Sequence, residues 1–358
     1  MDTIVALHPV AFFHLTEIQR WKTGLWANRS LIRLGEETAQ FIEQHKDEPF
    51  FCYLSFYSVH APLQTTPQLW EKYRRKATRG PQPESRFIID RTTPVRQVQD
   101  HPVYGGMVEA LDIAVGKVLN TLDRLRLADN TIVVFTSDNG GVSAGDGKAT
   151  NNLPLRGGKD RQWEGGIREP YYIRWPSVVQ AGATSDIPVI GTDFYPTLLE
   201  LAGLSPRPTQ HVDGVSLVPL IQGKTIRPRD LFWHYPYYGN QGGEPSAMII
   251  RDNWKLIHYY EDERRELYHL SEDIGEQRNL AGEFSDKVAE LGTRLRAWLT
   301  ETEANMPIPN PKFSEARAAQ ERKRIRNRDL PKLERAAADV LKESWSPNDE
   351  TWWGSKSK

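Results

Sequence analysis

The 358-residue sequence predicts an α/β fold, a mixed and mostly parallel sheet flanked by helices, followed by a smaller antiparallel sheet with its own helix. Three observations carry this prediction. Short apolar runs bounded by turn residues occur at 50–57 (FFCYLSFY) and 131–136 (TIVVFT). A long amphipathic stretch at 103–127 separates them. Beyond residue 230 the alternation gives way to consecutive short strand-like runs.

Taken in order, residues 32–45 place Ile32, Ala39 and Ile42 at helical spacing, and Asp47-Glu48-Pro49 stops that helix. The run at 50–57 then reads as a buried strand. Residues 65–100 are polar and proline-containing, which predicts a surface excursion. Met107, Ala110, Leu111, Ala114, Val115, Val118 and Leu122 give 103–127 its apolar helical face. Asp129-Asn130 turns the chain into the second buried strand at 131–136. Strand, helix and strand in succession imply parallel pairing with helices on both faces.

A glycine-rich loop follows, then a strand at 171–175 ended by Pro176, and a helix at about 194–202 closed by Gly203. Residues 232–238 and 247–260 read as strands, with a turn at Arg251-Asp252-Asn253 and a covering helix at 284–299. From Pro307 onward the chain is rich in Arg, Lys, Glu and Ala and ends in Trp352-Trp353, predicting an extended or charged helical tail. The chain thus divides into 1–205, 206–305 and 306–358.

Composition narrows the function. Hydrophobic content of 39% and charged content of 26% are those of a globular protein, and a net charge of -1 gives no electrostatic case for nucleic acid. No apolar stretch reaches membrane-spanning length. The single cysteine, Cys52, excludes an intramolecular disulfide, and its place in a strand predicts a buried, inert thiol. The apolar opening at 1–7 lacks a cationic start and a cleavage pattern, so no signal peptide is visible.

Three motifs carry chemistry. The run VVFTSDNGG at 133–141 delivers Asp138 and Asn139 from a strand end into Gly140-Gly141. Ligands of open α/β sheets collect at such ends, and a carboxylate beside an amide supplies hard oxygens for Ca²⁺ or Mg²⁺. Asp-Asn-Gly is equally favoured turn chemistry. The second motif, 155–170 (LRGGKDRQWEGGIREP), sets Lys159 beside paired glycines that let the backbone approach an anion, although such a run also suits a solvated loop. The third is SVHAP at 58–62, where His60 follows a strand and can give a proton to a leaving oxygen or simply bond within its loop.

The ordered series resembles the sulfatase family of the alkaline phosphatase superfamily. The likeness runs through 49–64, 104–141, 155–176, TDFYPTLL at 192–199, DGVSL at 213–217, WKLI at 254–257 and ELYHL at 266–270, so it covers roughly residues 30–310. It implies an alkaline-phosphatase-like sheet and a partial catalytic domain at 1–205. By position it assigns Asp138 and Asn139 to a divalent cation, usually Ca²⁺, Lys159 to the sulfate and the nucleophile, and His60 to the ester near its leaving oxygen. Arg156, Trp163 and Arg168 are the accompanying candidates for substrate contact. Charge developing on sulfuryl and leaving oxygens is what such cations and donors would stabilise. Export to a periplasm or beyond is the family's common setting.

The sequence departs from the family at one end of the site. No Cys- or Ser-x-Pro-x-Arg segment, the source of a formylglycine nucleophile, occurs in these residues, and Ser205-Pro206-Arg207 lacks its spacing. The paired aspartates that complete the cation shell are also missing, and 21–26 is at best an echo of the family's Gly-Lys-x-x-His stretch. Asp138 and Asn139 offer about three oxygens where Ca²⁺ takes about six to eight. The expectation is a sulfuric-ester hydrolase, acting on aryl or carbohydrate sulfates, in truncated or degenerate form and inactive alone. The alternatives are a phosphate or phosphonate ester hydrolase of the same superfamily, or a non-catalytic module binding sulfated glycans through Lys159, Arg156, Arg168 and Trp163.

Overall fold

A computed structural model describes residues 10–13, 26–145 and 148–345. The opening run at 1–7, most of 21–26 and the terminal Trp352-Trp353 lie outside the described residues or outside those whose side chains are described. Strand β1 (Val10–Phe13) pairs in parallel with β2 (Phe51–Leu54), with helix α1 (Trp26–Gln44) between them. Helix α2 (Pro67–Arg79) starts where Thr66 accepts from the Leu69 amide at 3.2 Å and Pro67 occupies the first turn. A hairpin of β3 (Phe87–Asp90) and β4 (Thr93–Arg96) follows. The stretch at 65–100, expected to be a surface excursion, is therefore structured. It buries Trp70, Phe87, Arg86, Arg96 and Asp100, whose charges neutralise one another so that polar residues can pack inside.

Helix α3 (Pro102–Arg124) is capped by His101, whose Nδ1 accepts from the Tyr104 amide. Burial, aided by Arg96, pushes the His101 imidazole down to about 3, so it stays neutral and able to accept. Helices α1 and α3 meet closely at Gly35, where a Cβ would lie 2.9 Å from the Ala114 carbonyl oxygen. Strand β5 (Val133–Thr136) then leads through the glycine-rich loop and α4 (Glu164–Ile167) to β6 (Tyr171–Arg174).

Pairing around β5 differs from the expectation. β5 and β6 form an antiparallel pair with Thr136 opposite Tyr171, while β2 pairs in parallel with β1, so among the described residues the two strands expected to share a parallel sheet pair with different partners. The strand-helix-strand pattern does not distinguish a shared sheet from two strands each paired elsewhere. Nor are β2 and β5 fully buried. Tyr53 is 52% and Phe135 37% exposed, each strand having a partner along one edge only among the described residues.

Helices α5 (Phe194–Leu201) and α6 (Val218–Ile221) lead into the antiparallel sheet of β7 (Leu231–Tyr235), β8 (Ser246–Arg251), β9 (Trp254–Tyr259) and β10 (Arg265–His269), ordered β10-β9-β8-β7. This is the expected second sheet. Side-chain alternation gives it two apolar faces. Ala247 and Ile249 meet Val288, Leu291 and Leu295 of α7 (Ser285–Glu301), while Met248, Ile250, Ile257 and Tyr259 meet Trp163. The charged tail forms α8 (Glu315–Arg324), a π-helical turn and α9 (Leu330–Asp339), and Val340, Leu341 and Trp345 after it pack on Trp70 and Val103. Among the described residues no helix is long and apolar enough to cross a membrane.

Candidate functional site

Three pairs of glycines build the site by letting backbones touch. A Cβ at Gly140 would lie 1.9 Å from the Gly165 oxygen, one at Gly158 would lie 2.4 Å from the Gly141 oxygen, and one at Gly166 would lie 2.2 Å from the Arg161 oxygen. Any side chain there would force the strands of the loop apart. Backbone bonds fill the space instead: Gly140 N to Gly166 O at 3.2 Å, Lys159 N to Gly141 O at 3.2 Å and Gly165 N to Arg156 O at 2.8 Å. Asn152 stitches the same turns, accepting from Gly141 N and donating to the oxygens of Gly141 and Gly157, each at 3.0 Å. The loop after β5 and the Lys159 turn thereby become one unit, which joins two motifs that lie apart along the chain.

Asp138 is exposed, and its carboxylate holds no hydrogen bond or ion pair among the described residues. Asn139 is half-buried, and its amide nitrogen donates to Gly140 O at 3.0 Å, leaving the side-chain oxygen available. Beyond the last pair of β5 and β6, Thr136 opposite Tyr171, the two chains bring Glu169 within electrostatic reach of Asp138. Burial, reinforced by the Asp138 charge, pushes the Glu169 carboxyl up to about 7. Its Oε1 is buried without a hydrogen-bond partner. Two facing carboxyl groups with an orphaned oxygen fit a cation. Glu169 was not among the sequence candidates. Its signal was the strand register, which becomes legible only once β5 and β6 are known to be antiparallel.

Lys159 is half-buried, and its ammonium has no hydrogen-bond or ion-pair partner among the described residues. An ammonium with no counter-charge among the described residues is open to an anion. The next residue, Asp160, takes a left-handed conformation at φ 74° and accepts from the Tyr235 hydroxyl of β7. His60 is exposed just after β2. Its Nδ1 lies 2.6 Å from the Ala61 carbonyl, which can only accept, so Nδ1 carries a proton and Nε2 is left for a ligand.

Two of the expected substrate contacts are corrected. Trp163 is 0% exposed and donates to Glu266 at 3.0 Å, so it is a core residue. Arg156 spans Asp90 in a bidentate pair, at 3.1 and 2.8 Å, donates to Glu276 O at 3.1 Å and stacks 3.7 Å above the Trp163 ring. Its donors are spent on the fold. Arg168 stays exposed, 3.6 Å from Glu164. Cys52 is half-buried, and burial pushes its thiol up to about 11, which suits the inert reading.

Beneath the site lies a buried charge cluster that sequence reasoning missed. Lys255 Nζ sits 3.0 Å from Glu164 and 2.8 Å from Glu276, with Lys255 and Glu276 both 0% exposed. Glu276 also accepts from the Glu164 amide, which opens α4. The second sheet is thus tied directly to the helix that follows the Lys159 turn.

Comparison with known proteins agrees with this architecture. The sulfatase family model matches residues 11–204, and the model for the C-terminal part of N-sulphoglucosamine sulphohydrolase matches 158–305. A sulfatase of Formosa agariphila is 34% identical over 297 residues, 76% of this chain and 50% of that protein. Human steryl-sulfatase is 36% identical over 209 residues, 57% of this chain and 31% of the relative. The chain therefore spans half or less of the length of these relatives. Among solved structures, Ps i-CgsB in complex with k-i-k-neocarrahexaose superposes with a TM-score of 0.61 at 26% identity, covering 85% of this chain and 61% of that one. BT4656 with D-glucosamine-2-N,6-O-disulfate gives 0.62 at 21% identity, covering 78% and 71%, a likeness of fold.

Proposed function

Since the chain belongs to the sulfatase family, we propose that it carries the sulfate- and cation-binding side of a sulfuric-ester hydrolase site and leaves the nucleophile to be supplied by another segment. The observation that carries this reading is the bare ammonium of Lys159, held half-buried on the same glycine-locked unit as the bare carboxylate of Asp138. A sulfate ester anion brought to Lys159 gains a charge-assisted contact that costs little reorganisation, because the Lys159 turn is already fixed.

Each residue has a stated task. Lys159 Nζ holds a sulfuryl oxygen and compensates the charge that develops there. Asp138 and the side-chain oxygen of Asn139, with Glu169 facing them, would hold a divalent cation. When bound, that cation supplies Lewis-acid polarisation of the sulfate. His60 holds its proton at Nδ1 toward Ala61, so a second proton at Nε2 is the one available to the leaving oxygen. None of these residues offers an activated nucleophile: the half-buried Cys52 thiol is pushed up to about 11, and no Cys- or Ser-x-Pro-x-Arg segment occurs in the sequence.

The test uses the 358-residue chain with 4-nitrophenyl sulfate and with inorganic sulfate. We expect no sulfate release from the aryl ester, and sulfate binding that Lys159→Gln abolishes. Robust turnover by the chain alone would mean that another nucleophile operates. Sulfate binding that survives Lys159→Gln would remove the assignment of the anion site. Translation of the DNA upstream of the reading frame supplies a separate check, with a Cys/Ser-x-Pro-x-Arg stretch as the expected result.

A further inference from the structure

We propose that the loop between β7 and β8 is a sugar subsite beside Lys159, where the exposed rings of Tyr237 and Tyr238 receive a pyranose ring of a sulfated carbohydrate. The inference rests on the reading of Lys159 as the sulfate-binding group and names the leaving-group side of that site.

The first argument is attachment. The loop is braced by Gly239 N to Gly243 O at 3.0 Å and Gly242 N to Gly239 O at 3.1 Å. It is pressed against Asp160, the residue after Lys159. A Cβ at Gly239 would lie 1.7 Å from the Asp160 carboxylate, and one at Gly243 would lie 2.2 Å from its backbone oxygen. The Gln241 amide donates to the same carboxylate at 3.3 Å, and the Tyr235 hydroxyl donates to its other oxygen. Glycine at these positions is what allows the contact. The second sheet thus extends a rigid loop onto the shoulder of the anion site.

The second argument is presentation. Tyr237 and Tyr238 are 59% and 62% exposed, on a loop that has no slack. The Tyr237 ring rests against Tyr235, with centroids 4.3 Å apart, so its orientation is set. Tyr238 lies within electrostatic reach of Glu261 in the β9–β10 turn. Burial and that carboxylate push the phenol up to about 12, so it remains a protonated donor. Large exposed rings fixed in place offer contact area at little entropic cost.

The third argument is the character of the surface. An aryl or steroid group is bound best in an enclosed apolar pocket. Here the two rings lie open to solvent, with the Glu261 carboxylate at the rim beside Tyr238. A ring with one apolar face and hydroxyls at its edge matches that surface. Its C–H face can lie on a tyrosine while its hydroxyls donate to the rim.

The experiment titrates the full chain with a heparin-derived hexasaccharide, 4-nitrophenyl sulfate and inorganic sulfate at low salt. The variants are Tyr237→Ala/Tyr238→Ala, Tyr237→Phe/Tyr238→Phe and Lys159→Gln. We expect the double alanine variant to weaken hexasaccharide binding about tenfold or more while inorganic sulfate binding stays unchanged, and the phenylalanine variant to keep most of the affinity. Unchanged hexasaccharide binding in the double alanine variant, with Lys159 dependence intact, overturns the subsite and leaves the proposed function standing. Equal losses for hexasaccharide and aryl sulfate overturn the carbohydrate assignment. No binding of either ester by wild type, or binding indifferent to Lys159→Gln, overturns both readings.

Discussion

Lys255→Met removes the cation from a buried cluster and leaves Glu164 and Glu276 facing each other without it. The side chains of Lys255 and Glu276 are 0% exposed and that of Glu164 is 5% exposed, so water cannot replace the lost partner. Breaking a buried pair from one side costs ~3–5 kcal/mol, a large share of the ~5–15 kcal/mol that holds a typical protein folded. The pH dependence is specific to this site. Burial pushes Glu276 up from 4.5 to about 7 against the opposing pull of Lys255, a difference worth ~3 kcal/mol at most. Below pH 4.5 the folded and unfolded chains both hold that proton. Between 4.5 and 7 the unfolded chain has released it and the folded chain has not, so folding takes up a proton and stability falls as pH rises. Urea unfolding of wild type and Glu276→Gln from pH 4.5 to 8 reads this directly. The Glu276→Gln chain should gain on wild type as pH rises and lose that part of the slope. Lys255→Met should lose ~3–5 kcal/mol at pH 8 and less at pH 5, where Glu276 is neutral. Identical slopes for wild type and Glu276→Gln, or a Lys255→Met loss under ~1 kcal/mol at pH 8, would refute the reasoning.

Three further outcomes follow from the same geometry. Ca²⁺ should raise the thermal midpoint of wild type, and Glu169→Gln or Asp138→Asn should remove the increment. An increment that persists in Glu169→Gln takes that carboxyl out of the cation site. Gly140→Ala should cost ~3 kcal/mol or more, because its Cβ would meet the Gly165 oxygen at 1.9 Å. Gly116→Ala in α3, with nothing within 4 Å, should instead stabilise by ~0.5–1 kcal/mol, and unfolding curves of the two variants separate close packing from helix propensity. Cys52, pushed up to about 11 by burial, should react slowly with a thiol reagent at pH 8, where about one thiol in a thousand is ionised; labelling at the rate of a free thiol would contradict its environment.

Motif residues and architecture were legible in the sequence to different depths. Helix α3 was readable because its apolar face repeats over six turns, and the antiparallel sheet because short strand-like runs follow one another with a turn at Asp252-Asn253. The pairing of β5 was not readable. VVFT contains nothing that distinguishes a parallel partner from β6, and only the partner's register decides which residue faces Asp138. Glu169 was missed for that reason. Arg156 and Trp163 went the other way. Cationic and aromatic residues beside a glycine pair suggest ligand contact, yet here they stack on each other and bond to Asp90 and Glu266, partners at least 66 positions away in the chain. Lys159 differs from its neighbour Arg156 in one respect that sequence cannot express. Three carboxylates that lie close to it in the chain or bond to its loop are claimed by other partners. Asp160 is taken by Tyr235 and Gln241, Glu164 by Lys255, and Asp90 by Arg156. The fold spends those counter-charges elsewhere, and an ammonium left over by that arithmetic is a stronger sign of an anion site than the Gly-Gly-Lys run that first drew attention to it.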